Sequence, residues 1–242
     1  MNLARLFRRL LTNEQPHSLE SMLRGLDEPF HSALLSMYRG ELQRGKDGKL
    51  HQLDPVIGID AENGMWIYNE CCRLKARSSL EIGLAYGCSA LFFLAAIAKN
   101  GGGEHTAIDP FENSSYWNGV GLEKVRQVGA NAFRFIQDPD VQAATDLARE
   151  RRMFDFIFID GSHRFDDALV GFTLFAPLLS TAGRIVFDDM WMGSIRTAVE
   201  FVQTNRQDFR RAPSPSRFAA FEKIGDDARP WNHYIPFRVA GK

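Results

Sequence analysis

The chain has 242 residues, of which 45% are hydrophobic and 24% charged, a globular composition that excludes disordered, collagen-like and coiled-coil chains. With 29 basic against 30 acidic residues the formal charge is −1, so the basic excess of a general nucleic-acid binder is missing and no nucleic-acid partner is expected. No apolar run approaches the ~18–20 residues of a transmembrane segment. The three cysteines, Cys71, Cys72 and Cys88, follow neither a disulfide nor a zinc spacing, which points to a reducing, cytoplasmic setting.

Taken in chain order, Met1 to Leu11 place Leu3, Leu6, Phe7 and Leu10 on one helical face and Arg5, Arg8 and Arg9 on its flank. This is a short basic amphipathic helix, suited to docking on its own domain or on a partner subunit. It is not read as a secretory signal, since no apolar core follows the basic residues. Residues 17–40 are a second helical stretch, broken by Pro29. Residues 40–56 are a polar connection closed by Pro55. Residues 1–56 thus read as a helical N-terminal extension, a lid or a homodimer contact, and 57–242 as the main domain.

Beyond residue 64 short apolar runs alternate with helical periodicity. Strands are expected at Ser78–Gly83, His105–Asp109, Phe133–Ile136, Phe154–Asp160 and Arg184–Asp188. Helices are expected after each, near 90–98, 116–129, 141–151, 165–179 and 193–202. The run Phe154 to Ile159 is apolar on both faces except near its start, the mark of a strand covered on both sides and hence of a parallel sheet. Five such alternations predict an α/β, doubly wound domain with right-handed crossovers. Phe218–Lys223 is read as an antiparallel edge strand.

Ligands of such sheets bind at the carboxyl ends of the strands, so the residues there are the candidates. The first loop, Glu81-Ile82-Gly83-Leu84-Ala85-Tyr86-Gly87-Cys88-Ser89, allows close backbone approach at Gly83 and opens the next helix at Gly87 and Ser89, where free amides favour an anion. It lacks the G-x-G-x-x-G dinucleotide fingerprint. Glu81, inside an apolar strand, needs a partner. Asp109 ends the second strand, where an acid can accept ribose hydroxyls. Asp160-Gly161-Ser162-His163 and Asp188-Asp189 end the fourth and fifth strands. In a doubly wound order these strands are neighbours about 5 Å apart, so Asp160, Asp188 and Asp189 converge with His163 beside them. Three carboxylates suit a hard cation such as Mg²⁺. Turn formation and helix capping are the plainer roles for each aspartate. An adjacent acidic pair closing an apolar strand nonetheless demands a compensating cation or donor.

With those residues in view, 78–202 resemble a class I S-adenosylmethionine-dependent O-methyltransferase, close to bacterial small-molecule and sugar enzymes and to the catechol O-methyltransferase group. The resemblance implies a seven-stranded, mostly parallel Rossmann-like sheet. It implies a cofactor site at Glu81, Gly83, Gly87, Ser89, Asp109 and Asp138, the last on the loop that meets the adenine. It implies Mg²⁺ or another divalent cation at Asp160, Asp188 and Asp189, with His163 in the place of the general base, where the catechol enzymes carry Lys. The expected reaction is methyl transfer to a hydroxyl of a small molecule. Trp117, Trp191, Trp231, Tyr234 and Phe237 are candidates for the acceptor pocket. The competing readings are a metal-independent methyltransferase, a nicotinamide oxidoreductase, disfavoured by the missing fingerprint, and a catalytically silent cofactor-binding or scaffold protein.

Overall fold

The computed structural model describes residues 16–238; the basic helix expected for residues 1–11 lies outside them. Helices α1 (Pro16–Leu23) and α2 (Phe30–Tyr38) flank Pro29, as the sequence predicts. The expected polar connection contains a small antiparallel hairpin, β1 (Gln43–Arg44) with β2 (Leu50–His51). The extension is not a separate body. Leu23, Leu26, Phe30, Leu34 and Met37 are buried in one core with Ile67, Phe92 and Phe156 of the main domain.

A helix that the alternating pattern does not announce follows, α3 (Ala61–Leu74). Asp60 caps it by accepting the Asn63 amide at 2.9 Å, a side-chain bond that satisfies an otherwise orphan donor. Then come β3 (Ser78–Ile82), α4 (Cys88–Lys99), β4 (Glu104–Ile108), α5 (Val120–Gly129), β5 (Phe133–Ile136), α6 (Asp140–Arg149), β6 (Phe154–Ile159), α7 (Phe165–Phe175), β7 (Leu179–Phe187), α8 (Gly193–Asn205), β8 (Phe209–Ala212) and β9 (Ala219–Lys223). Each of the five expected strand–helix pairs is present. The strand before α8 starts earlier than expected: after α7 a short 3-10 turn over Ala176–Leu178 ends the helix, and Leu179 already pairs with Phe154.

The sheet has seven strands in the order β5-β4-β3-β6-β7-β9-β8. The first five are parallel, and β9 runs antiparallel to both β7 and β8. Phe218–Lys223 is therefore an inserted strand, not the edge; the edge is β8, whose Arg-rich FRRA gives no alternating signal. The topological switch falls between β3 and β6, where successive crossovers change direction, and it defines the crevice for a ligand. α4 lines one face of the centre. Its residues Cys88 to Ile97 are all buried, so it reads as a uniformly apolar helix rather than an amphipathic one.

Candidate active site

At the carboxyl end of β3 the chain turns sharply into α4. Gly83, Ala85 and Gly87 have φ of 92°, 47° and 77°, a left-handed series that only glycine adopts freely. A Cβ on Gly83 would stand 2.3 Å from the Asp160 carbonyl oxygen. Glycine at that position thus lets the first loop touch the end of β6, across the switch point. A Cβ on Gly121 of α5 would meet the Ala85 carbonyl at 2.1 Å, so α5 also closes directly on this loop.

Glu81 is fully buried, and its carboxylate faces the core rather than the crevice. Ser89 Oγ donates to it at 2.6 Å, and His105 Nε2 approaches its other oxygen at 3.1 Å. Ser79 Oγ lies 2.8 Å from His105 Nδ1, and Phe93 stacks on the imidazole at 4.8 Å. Ser89 thus partners one oxygen of the buried carboxylate, while Glu81 Oε1 and His105 Nε2 face each other without a hydrogen bond. Asp109 is 6% exposed. Its carboxylate receives the amides of Leu84, Ala85 and Phe111 at 3.1, 3.3 and 2.8 Å. With roughly four acceptor sites on a carboxylate, about one is left for a ligand hydroxyl rather than two.

Two acids of this region carry no sequence signal as site residues. Glu112, buried, accepts the Leu122 amide at 2.9 Å; burial, with the Asp109 and Glu81 charges, pushes its carboxyl up to about 8. Asp138 is exposed on the loop between β5 and α6. Asp140, two residues on, is raised by burial and by the charges of Asp167 and Asp109, so it too lies within the field of Asp109.

β6 and β7 pair in parallel with Ile159 beside Phe187, which sets Asp160 next to Asp188 and Asp189. Asp160, His163 and Asp189 each offer a ligand atom within 4.8 Å of the others. His163 Nε2 is 2.9 Å from Asp189 Oδ2 and 3.9 Å from Asp160 Oδ1. The neighbouring Asp160 and Asp189 carboxylates push the imidazole up to about 10. Burial raises Asp160, with the His163 imidazole opposing and the Asp189 charge adding to the rise. Burial alone would raise Asp189 as well, yet its bonds to His163 and to Trp191 Nε1 (2.8 Å) hold it below the ordinary carboxylate range. Asp189 has φ of 55°, a strained geometry for a non-glycine residue that functional sites retain.

Of the three aspartates expected as metal ligands, Asp188 stands outside the cluster of Asp160, His163 and Asp189. Asp188 is gripped by Arg217, whose Nε and Nη2 donate to its two oxygens at 2.6 and 2.7 Å. The carboxylate of Asp188 is thereby spent on a guanidinium, and His163 takes the third position of the cluster. Burial and the Asp160 charge push Asp188 up while Arg217 pulls it down. Burial would lower Arg217, and the carboxylates more than offset it. Arg217 sits on the turn between β8 and β9, a segment with no motif, and only the fold brings it to the acidic pair that needs a cation.

Of the aromatic candidates, Trp191 is at the site mouth and 69% exposed. Trp117 packs edge-on against Tyr86 and Tyr116 at 5.2 and 4.7 Å, beside the first loop. Trp231, Tyr234 and Phe237 are corrected. Their segment follows β9, which runs opposite to β7, and is pinned to the end of α8 by Asn205, bonded to Ile235 at 2.7 and 3.0 Å. That is the amino end of the parallel strands, away from the site.

A doubly wound sheet of this order, with the glycine turn after β3 and the acidic group after β6 and β7, has the class I methyltransferase fold. Residues 80–190, just under half the chain, match the family described as "Methyltransferase domain". Among solved structures, the O-methyltransferase TomG from Streptomyces achromogenes, involved in tomaymycin synthesis and in complex with SAM, superposes with a TM-score of 0.56 at 17% identity, covering 82% of this chain and 91% of that one. An O-methyltransferase from Bacillus cereus in complex with SAH gives 0.57 at 16% identity, covering 81% and 91%. The SAH-bound methyltransferase PaMTH1 of Podospora anserina gives 0.55 at 15% identity, covering 92% and 95%. At these identities the likeness is one of fold. No curated protein sequence matches the chain.

Proposed function

We propose that the protein transfers the methyl group of S-adenosylmethionine to a hydroxyl of a small molecule. The observation that carries this reading is the meeting of two groups across the switch point: the glycine turn 83–87 abuts Asp160, which stands in the same cluster as His163 and Asp189. A donor on the turn therefore sits beside an acceptor in the acidic cluster. The cofactor's binding by the three solved structures, a match in fold alone, supports the donor.

In this account the first turn of α4 and Gly83 hold the donor by backbone, and Asp109 takes one ribose hydroxyl. Glu81 and Ser89 act from beneath, fixing the loop, and Asp138 remains an exposed residue at the adenine rim. The acceptor oxygen attacks the sulfonium methyl in line; the carbon–sulfur bond breaks toward sulfur, giving S-adenosylhomocysteine, and the hydroxyl proton passes to Nε2 of His163 in its neutral form. Catalysis then rests on positioning and on stabilising the developing oxyanion.

The carboxylates of Asp160 and Asp189, with oxygens within 4.8 Å of each other, fit a divalent cation such as Mg²⁺ or Mn²⁺, with waters and acceptor oxygens completing its shell. Asp160 and Asp189 would hold it. Bound there, it would polarise the acceptor oxygen and neutralise the two carboxylates that keep His163 protonated, which returns the imidazole to proton-accepting form near neutral pH. A cation-free reading is favoured by Arg217 and protonated His163, which already offset part of the acidic charge. The three unpaired cysteines, two of them buried, support a reducing, cytoplasmic setting; among the described residues no helix is long and apolar enough to cross a membrane. A homodimer through α1 and α2 would have to use their polar faces, since their apolar faces are buried in the chain.

The test is Asp160→Asn with methyl-labelled S-adenosylmethionine and acceptors bearing two adjacent hydroxyls. Turnover should fall by roughly two orders of magnitude or more, with S-adenosylhomocysteine affinity within about threefold of wild type. Full turnover of Asp160→Asn in chelator would remove the cation from the account.

A further inference from the structure

Arg217 belongs to no motif, yet it makes the tightest ion pair of the site. Both guanidinium prongs reach Asp188, at 2.6 and 2.7 Å. The Asp189 amide also donates to Asp188 Oδ1 at 2.6 Å. Of the roughly four acceptor sites on that carboxylate, about three are used. The second prong then stands 3.6 Å from Asp189 Oδ1. The arginine is also anchored. Its carbonyl receives the Met190 amide at 2.9 Å, and the next residue, Phe218, is 1% exposed between Trp66 and Phe158 at 5.1 and 5.7 Å. The side chain cannot leave Asp188 for long without unpacking the turn that carries it.

We propose that Arg217 is a positioning residue that withholds Asp188 from a bound divalent cation and so sets the affinity of the site for one. It rests on the cation role of Asp160 and Asp189 proposed above. Two effects act in the same direction. The fork removes one of three carboxylates from the ligand set, and planar two-pronged pairing is the geometry that arginine holds best. A fixed positive charge also stands near the place a second cation must occupy, and that repulsion falls only as the inverse of distance. The carboxylates that remain are those of Asp160 and Asp189, a weaker and more exchangeable set than three aspartates would make.

The experiment is calorimetric titration of Mn²⁺, with no methyl donor, into wild type, Arg217→Gln, Asp188→Asn and the double variant. Thermal melting and S-adenosylhomocysteine binding run alongside. Arg217→Gln should bind Mn²⁺ about tenfold more tightly or better, because a charge is lost and a ligand returned. Asp188→Asn should keep Mn²⁺ binding, weakened by no more than about tenfold because the Arg217 charge is left uncancelled, and the double variant should lose most of the gain. Where Arg217→Gln does not fold, Arg217→Lys keeps the charge without the fork and should move affinity the same way by about threefold. Unchanged or weaker Mn²⁺ binding by a folded Arg217 variant would overturn the proposal, as would loss of Mn²⁺ binding in Asp188→Asn. If neither wild type nor Arg217→Gln binds Mn²⁺ while both bind S-adenosylhomocysteine, the proposal and the cation role fall together and the methyltransferase reading stands.

Discussion

His163 is held by two carboxylates, and its replacement separates chemistry from binding. His163→Gln should lower turnover by ~10²–10⁴-fold, the usual worth of a positioned base, without changing S-adenosylhomocysteine affinity; equal turnover across pH in both proteins would remove it as the base. The same contacts have a stability consequence in chelator. The imidazole is raised from 6.5 to about 10, so the folded state favours its charged form. That stabilisation is complete below about pH 6.5 and is lost as pH rises toward 10. The melting-temperature gap between wild type and His163→Gln should therefore be widest in mild acid and close in alkali; a gap that widens with pH would contradict the ion pair. Gly83 gives a second residue-scale test. An alanine there carries φ of 92° and a Cβ 2.3 Å from the Asp160 carbonyl, so it should cost ~1–3 kcal/mol of backbone strain and abolish donor binding. Donor affinity within threefold of wild type for Gly83→Ala would show that the turn does not hold the cofactor. At this scale the sequence marks Asp160, His163 and Asp189 by their strand-end positions, but it cannot mark Arg217, whose role exists only once β9 lies beside β7.

Among the elements, the β8–β9 hairpin is the least legible and the most consequential. β9 pairs with the whole carboxyl half of β7, from Arg184 to Phe187, while Phe218 and Phe221 are each 1% exposed. Removing residues after 205 would uncover β7 and an aromatic core, and it would take Arg217 from Asp188. Such a truncation should lose its cooperative thermal transition, measured by circular dichroism; a sharp melt near that of the full chain would show the hairpin to be an appendage. The core strands β3, β4, β6 and β7 are legible because each ends in apolar residues closed by Gly83, Asp109, Asp160 or Asp188, and β5 because Phe133, Phe135 and Ile136 precede the turn at Gln137-Asp138. β8 is not, because its two exposed arginines hide the strand. α3 is not either, because its polar residues Glu62, Asn63, Asn69 and Glu70 dilute the stripe formed by Ile67, Tyr68 and Cys71.

For the molecule as a whole, the parallel sheet and its switch point follow from the alternation of strands and helices, and the site follows from asking what stands at the strand ends. The extension is different. As sequence it reads as a helical extension, a lid or a dimer contact; α1 and α2 bury their leucines in the same core as α4, a tertiary fact that periodicity alone does not carry. Whether this crevice holds the methyl donor is read from calorimetric titration of S-adenosylhomocysteine into the full chain, with Mg²⁺ and again with chelator. Binding is expected at roughly micromolar Kd, about −8 kcal/mol, in both buffers, because the glycine turn and Asp109 hold the donor without the acidic cluster. No binding in either buffer would contradict this.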